Sequence, residues 1–254
     1  MDLISSLLNQ AKSYTHELPP FYPFKEIPQG RAMASWIDHT LLKPEATTAQ
    51  ITQLCEEARD YLFASVCVNP AFIPLAVRLL SGTPVKVGAV VGFPLGTTQS
   101  TVKVFETLTC LNSGAIEIDM VIHVGALKAQ SYGQVFNEIQ AISQVTHNQG
   151  GLIKVILEMA LLTREEKIIA CLISQAAGAD FVKTSTGFGP SGATLEDVDL
   201  MRRVVGAGTG VKAAGGIRTF SDTLAMIQSG ANRIGTSSGV KIIQTAVSDG
   251  CGTK

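Results

Sequence analysis

The chain has 254 residues, 46% of them hydrophobic, and a formal net charge of −1 at pH 7. That length can bury one large core, enough for a single α/β barrel of about 250 residues or for two small domains. The near-neutral charge, without a polybasic run, excludes an electrostatic footprint for nucleic acid or a membrane surface, and the apolar runs are strand-sized, too short to cross a bilayer.

The opening residues Met1-Asp-Leu-Ile-Ser-Ser-Leu-Leu-Asn-Gln10 lack early basic residues and break their apolar stretch with serines, so no secretory signal is expected. Leu3, Ile4, Leu7 and Leu8 instead follow helical spacing. Leu18-Pro-Pro-Phe-Tyr-Pro-Phe24 then reads as an extended linker. Residues 1–33 form an N-terminal extension that packs on the main domain or reaches a neighbouring subunit. Five cysteines (Cys55, Cys67, Cys110, Cys171 and Cys251) are scattered, with no Cys-x-x-Cys pair. This argues against a disulfide framework and a zinc site, and favours a reducing cytoplasm.

From residue 34 onward β-rich runs alternate with helical segments. Strands are predicted at 34–41, 63–69, 85–92, 116–122, 153–159, 181–185, 211–216 and 233–237. Amphipathic helices are predicted near 46–61, 70–80, 98–112, 127–147, 163–177, 194–205 and 219–229, with a last one after 239. Thr163 ahead of Glu165 and Glu166 is a helix start. Gly114, Gly178 and Gly230 close helices just before the next strand. Eight strand–helix pairs over 34–248 indicate a TIM (β/α)8 barrel, with 249–254 as a flexible tail. An open doubly wound sheet is the alternative, but no Gly-x-Gly-x-x-Gly turn follows the first strand.

Side chains alternate sides along a strand. Ile116, Ile118, Met120 and Ile122 share the side facing helices, and Glu117 and Asp119 share the other. Lys154 and Glu158 oppose Val155, Leu157 and Met159. Lys183 and Ser185 oppose Val182 and Thr184, and Lys212 opposes Val211 and Ala213. Charges on one side of successive strands imply a polar barrel interior. An amine close to a second ammonium loses its proton more readily, and the neutral amine can attack a carbonyl carbon as a Schiff-base nucleophile. Two ammonium groups roughly 6 Å apart repel by about 3 kcal/mol at an effective dielectric of about 20, or about two pKa units.

Asp119 can balance the remaining charge and relay protons, and Asp38 could orient a hydroxyl or a water. Lys154, earlier on its strand, reads mainly as a structural partner of Asp119. Cys67 faces inward, first as a small packed residue. His16, His39, His123 and His147 have no metal-ligand spacing, and no metal is implied. Gly215-Gly216 after the seventh strand, Gly235-Thr-Ser-Ser-Gly239 after the eighth, and Gly187 after the sixth suit a phosphate cradle of backbone amides. Ordinary βα turns would also use such residues.

Ile37-Asp-His-Thr-Leu-Leu42, Ser65-Val-Cys-Val-Asn-Pro70, Val91-Gly-Phe-Pro-Leu-Gly96, Glu117-Ile-Asp-Met-Val121, Val182-Lys-Thr-Ser-Thr-Gly187 and Val211-Lys-Ala-Ala-Gly-Gly-Ile-Arg218 occur in order along the chain. Together they resemble the deoxyribose-phosphate aldolase family. The resemblance implies a class I aldolase that reversibly cleaves 2-deoxy-D-ribose 5-phosphate to D-glyceraldehyde 3-phosphate and acetaldehyde, without cofactor or metal. It implies Lys183 as the imine-forming lysine, Lys212 as the group lowering its pKa, and Asp119 in proton transfer. Phosphate would rest on Gly187, Gly215, Gly216, Ser237 and Ser238. Asp38, Thr40, Cys67, Lys154 and Thr186 are the candidate substrate contacts, and a homodimer is the implied assembly. Where some relatives carry lysine after the Thr-Gly, this chain has Phe188, which shifts phosphate binding towards backbone amides. A non-covalent sugar-phosphate isomerase and a non-catalytic sugar-phosphate sensor are the other readings.

Overall fold

Each of the eight predicted strands finds a parallel partner on both sides, and the sheet closes on itself. The computed structural model describes residues 2–21, 24 and 26–250. The strands are β1 (Ile37–Leu41), β2 (Ser65–Val68), β3 (Lys86–Val91), β4 (Glu117–Val121), β5 (Leu152–Ile156), β6 (Phe181–Lys183), β7 (Gly210–Ala214) and β8 (Arg233–Thr236), in that order around a closed barrel. The pairing of β1 with β8, Asp38 opposite Gly235, rules out the open sheet.

The outward side chains Ile118, Met120, Val155, Val182, Val211 and Ala213 are fully buried, forming the layer between sheet and helices. Burial of such aliphatic side chains is worth about 1.5–3 kcal/mol each, which fixes the strand register against the helical ring. Ile116 departs from its predicted place against the helices, being exposed just ahead of β4.

The helices are α1 (Leu3–His16), α2 (Thr48–Tyr61), α3 (Ile73–Leu79), α4 (Ser100–Asn112), α5 (Val124–Lys128), α6 (Tyr132–Asn148), α7 (Arg164–Ala176), α8 (Leu195–Val205), α9 (Phe220–Gln228) and α10 (Gly239–Gly250). Thr163 and Glu166 form a full capping box at the start of α7, as Thr47 and Gln50 do for α2. The single helix expected over 127–147 is two helices, because Gln130 takes a left-handed φ of 58° between α5 and α6. The fifth strand stops short of Met159: Glu158, at a φ of 54°, turns the chain into a 3-10 turn over Met159–Leu161. Residues 34–36 belong to a 3-10 turn rather than to β1.

The extension packs on its own barrel. Asp2 caps α1, which lies along α7 and buries Leu7 and Ala11. Beyond it, the Arg203 guanidinium donates to the Pro19 carbonyl at 3.4 Å, and Arg202 sits over the Phe24 ring. Tyr22 and Pro23 of the predicted linker lie outside the described residues. Residues 249–250 of the expected tail belong to α10, and 251–254 lie outside the described residues.

Candidate active site

The strand period of two sends Asp38, Asp119, Lys154, Lys183 and Lys212 into the barrel, with Lys154 one inward position earlier than Lys183, opposite Phe181. Lys183 is the pairing partner of Lys212, and Asp119 that of Lys154. All five are buried. The Lys183 and Lys212 ammonium groups each donate to Oδ2 of Asp119 at 2.7 Å, so the two nitrogens stand no further apart than twice that distance. Lys154 donates to Oδ1 of the same carboxylate at 2.8 Å and to Glu117 at 2.6 Å.

Burial opposes ionisation of Asp119, but Lys154, Lys183 and Lys212 together hold its carboxyl well below the usual range. The two central lysines then diverge. Burial lowers the Lys183 pKa, Asp119 opposes that, and Lys212 adds to it, for a net fall. Burial likewise penalises the Lys212 charge, yet Asp119 and Asp38 outweigh it and raise its pKa. Repulsion between the ammonium groups therefore comes after desolvation among the effects that lower Lys183, whereas the sequence reading put it first.

Above Lys183 a cavity of about 340 Å³ opens at the C-terminal end of the strands. Thr40, Thr186, Gly187, Gly215, Gly216 and Ser237 all line it, as expected. Gly215 and Gly216 have φ values of 89° and 81°, which side-chain-bearing residues rarely adopt, and this turns their backbone around the rim. The Thr186 hydroxyl donates to Glu158 at 2.5 Å and accepts from the Phe188 amide at 3.0 Å. Phe188 shares the cavity wall and meets Phe93 edge-on at 5.4 Å.

Four expected contacts lie elsewhere. Asp38 is not in the cavity wall; it is fully buried, held by Ser65 at 2.7 Å and Arg233 at 2.5 Å on one oxygen and ion-paired to Lys212 at 2.5 Å on the other. Lys154 is a buried counter-ion of Glu117 and Asp119. Cys67 packs with Leu42, Val90 and Phe93, 3.8 Å from Asp119, and burial pushes its thiol up to about 11, so it is neither at the mouth nor a nucleophile. Ser238 is not among the residues lining the cavity, and its amide donates to the Thr236 hydroxyl at 2.9 Å.

Sequence reasoning assigned no role to Arg233, or to Lys43 and Arg218, which line the cavity. The inward position of Arg233 follows from β8 alternation through Gly235, where an added Cβ would stand only 3.0 Å from Cε of Lys212. Lys43 and Arg218 lie past the strand ends, where alternation no longer applies. Among the described residues no group of three or more His, Cys, Asp or Glu side chains is arranged to hold a metal ion.

The profile of the DeoC/LacD family aldolase matches residues 32–245. The chain belongs to this family. One DeoC/LacD relative, a deoxyribose-phosphate aldolase of Caldanaerobacter subterraneus subsp. tengcongensis, is 55% identical over 221 residues, covering 87% of this chain and 96% of that one. A solved structure of a candidate deoxyribose-phosphate aldolase from Coccidioides immitis superposes with a TM-score of 0.89 at 40% identity, covering 95% of this chain and 97% of that one. The tetrameric deoxyribose phosphate aldolase of Aeropyrum pernix gives 0.81 at 33% identity, covering 95% and 97%. The family match begins at residue 32, which leaves α1 outside it.

Proposed function

We propose that the chain is a class I deoxyribose-phosphate aldolase in which Lys183 forms the imine. The observation that carries this is a pair of buried lysines sharing one oxygen of Asp119, one of which, Lys183, lines a glycine-rimmed cavity. The neutral Lys183 amine adds to the C1 aldehyde of open-chain 2-deoxy-D-ribose 5-phosphate, and the carbinolamine, its hydroxyl protonated by a water relaying from Lys212, loses water to give a protonated imine. Asp119, acting with Lys212 and a water, takes the C3 hydroxyl proton. The C2–C3 electrons move into the imine, leaving an enamine and releasing D-glyceraldehyde 3-phosphate. Protonation at C2 and hydrolysis release acetaldehyde and restore the amine.

Amides of Gly187, Gly215 and Gly216 and the Ser237 turn hold the phosphate, with Lys43 and Arg218 supplying positive charge at the same rim. Thr40 and Thr186 meet the sugar hydroxyls. This chemistry belongs in deoxyribose phosphate catabolism. Treating the protein with acetaldehyde and then borohydride is expected to leave an ethyl group on the Lys183 peptide, read by mass spectrometry. Activity without an adduct there overturns the imine.

The homodimer expected from the resemblance is part of the same proposal, alongside the tetramer described for the Aeropyrum relative; sedimentation equilibrium decides between them. A cytoplasmic location is supported by four free, buried cysteines and by the lack, among the described residues, of a helix long and apolar enough to cross a membrane. Cell fractionation tests it.

A further inference from the structure

We propose that Arg233 and Glu117, which do not line the cavity, set the protonation of Lys183 as members of a closed, charge-balanced ring of side chains, all buried except the partly exposed Arg233. From Asp119 the ion pairs run to Lys154 (2.8 Å), Glu117 (2.6 Å), Arg233 (2.8 Å), Asp38 (2.5 Å) and Lys212 (2.5 Å), and return to Asp119 (2.7 Å). Three cations alternate with three carboxylates, so the ring has no net charge. Lys183 hangs from Asp119 at 2.7 Å, outside the ring, as the seventh and unmatched charge. In a dry interior the unmatched charge is the cheapest to neutralise. The inference rests on the imine reading above and says how its nucleophile is kept neutral.

The remaining groups do not supply the missing match. Cys67 on β2 is held in its neutral form by burial. β3 presents Val90 to the interior. Glu158, after β5, is engaged by Thr186. Lys43 and Arg218, from the loops after β1 and β7, share the cavity with Lys183 but bring further positive charge. The directions of titration agree with the geometry. Lys154, Lys212 and Arg233 are all raised despite burial, and among these bases only Lys183 is lowered.

Arg233 occupies the key position because it hydrogen-bonds both Asp38 and Glu117, the carboxylates on the two arms that meet at Asp119, whereas Lys154, bonded to Glu117, reaches Asp38 only at 3.8 Å. Removing its charge leaves the ring one negative charge in excess, which favours a proton on Lys183. Removing the Glu117 charge leaves one positive charge in excess and disfavours that proton. The two changes therefore act in opposite directions through residues that do not touch the nucleophile.

The test is the pH dependence of trapping by acetaldehyde and cyanoborohydride, read as ethylation of the Lys183 peptide. In Arg233→Met the midpoint is expected to move up by about one pH unit, and in Glu117→Gln down by about as much. The double variant returns close to the unmodified midpoint, and Arg233→Lys, which keeps the charge, stays near it. If trapping persists but both single variants shift the same way, or neither shifts, the ring does not set the nucleophile. Should Arg233→Met fail to fold, the direction in Glu117→Gln and the rescue by Arg233→Lys still decide. Absence of any adduct at Lys183 in the unmodified chain would instead remove the imine reading beneath.

Discussion

Lys183 and Lys212 are the same residue type, paired in register on adjacent strands and buried alike, yet their pKa values move in opposite directions, Lys183 down and Lys212 up. The difference is the number of carboxylates each can claim. Lys212 lies between Asp119 and Asp38, whereas Lys183 has Asp119 alone and shares it with two other cations. Lys212→Leu is therefore expected to raise the Lys183 pKa, because Asp119 is left with one cation fewer. A raised pKa makes the neutral amine scarce at neutral pH and restores it only in alkali. The rate should fall sharply near pH 7 and less at pH 9, with a higher pH optimum; an acid limb that stays put would refute the assignment. These residues were legible in the sequence because alternation on a buried strand leaves few places for a charge. The burial of Asp38 was not, since its partner Arg233 comes from β8, at the far end of the barrel sequence.

At the scale of elements, the strand cores were legible and their ends were not. β-branched runs mark where pairing is strong, but β5 ends where Glu158 turns to reach Thr186, a contact made across a loop. A second hidden partnership joins α4 to α6. Lys103, in the first turn of α4, is completely buried, donating to Glu138 of α6 at 2.8 Å and to the Val121 carbonyl at the end of β4 at 2.8 Å. A lysine in an amphipathic helix reads as surface, and nothing local names its partner. Lys103→Met leaves Glu138 charged and unpaired in the interior, and is expected to destabilise the fold by about 3–5 kcal/mol in urea unfolding. Adding Glu138→Leu should recover most of that loss; a double variant no better than the single one would exclude the ion pair as the cause.

For the molecule as a whole, the barrel was predictable and the course of its N-terminal extension was not. The alternation of elements specifies eight strands, and closure follows from their number and parallel order. Where α1 docks depends on the outer surface of α7, which the local pattern of α1 does not encode. It buries Leu7 and Ala11, with Ile4, Leu8 and Tyr14 packed beside them, on a face remote from the cavity. A chain lacking residues 1–29 is expected to melt about 5 °C or more below the full chain while still trapping acetaldehyde at Lys183. Unaltered melting would mean that α1 adds nothing to the fold, and lost trapping would mean that it reaches the site.

The alternating circuit at the centre of the barrel also restricts how such a sequence can drift. Any single exchange that removes a charge from it leaves an opposite member short of its counter-ion, whereas paired replacements of one cation and one carboxylate keep the balance. Six positions far apart in the chain therefore answer to one shared electrostatic constraint.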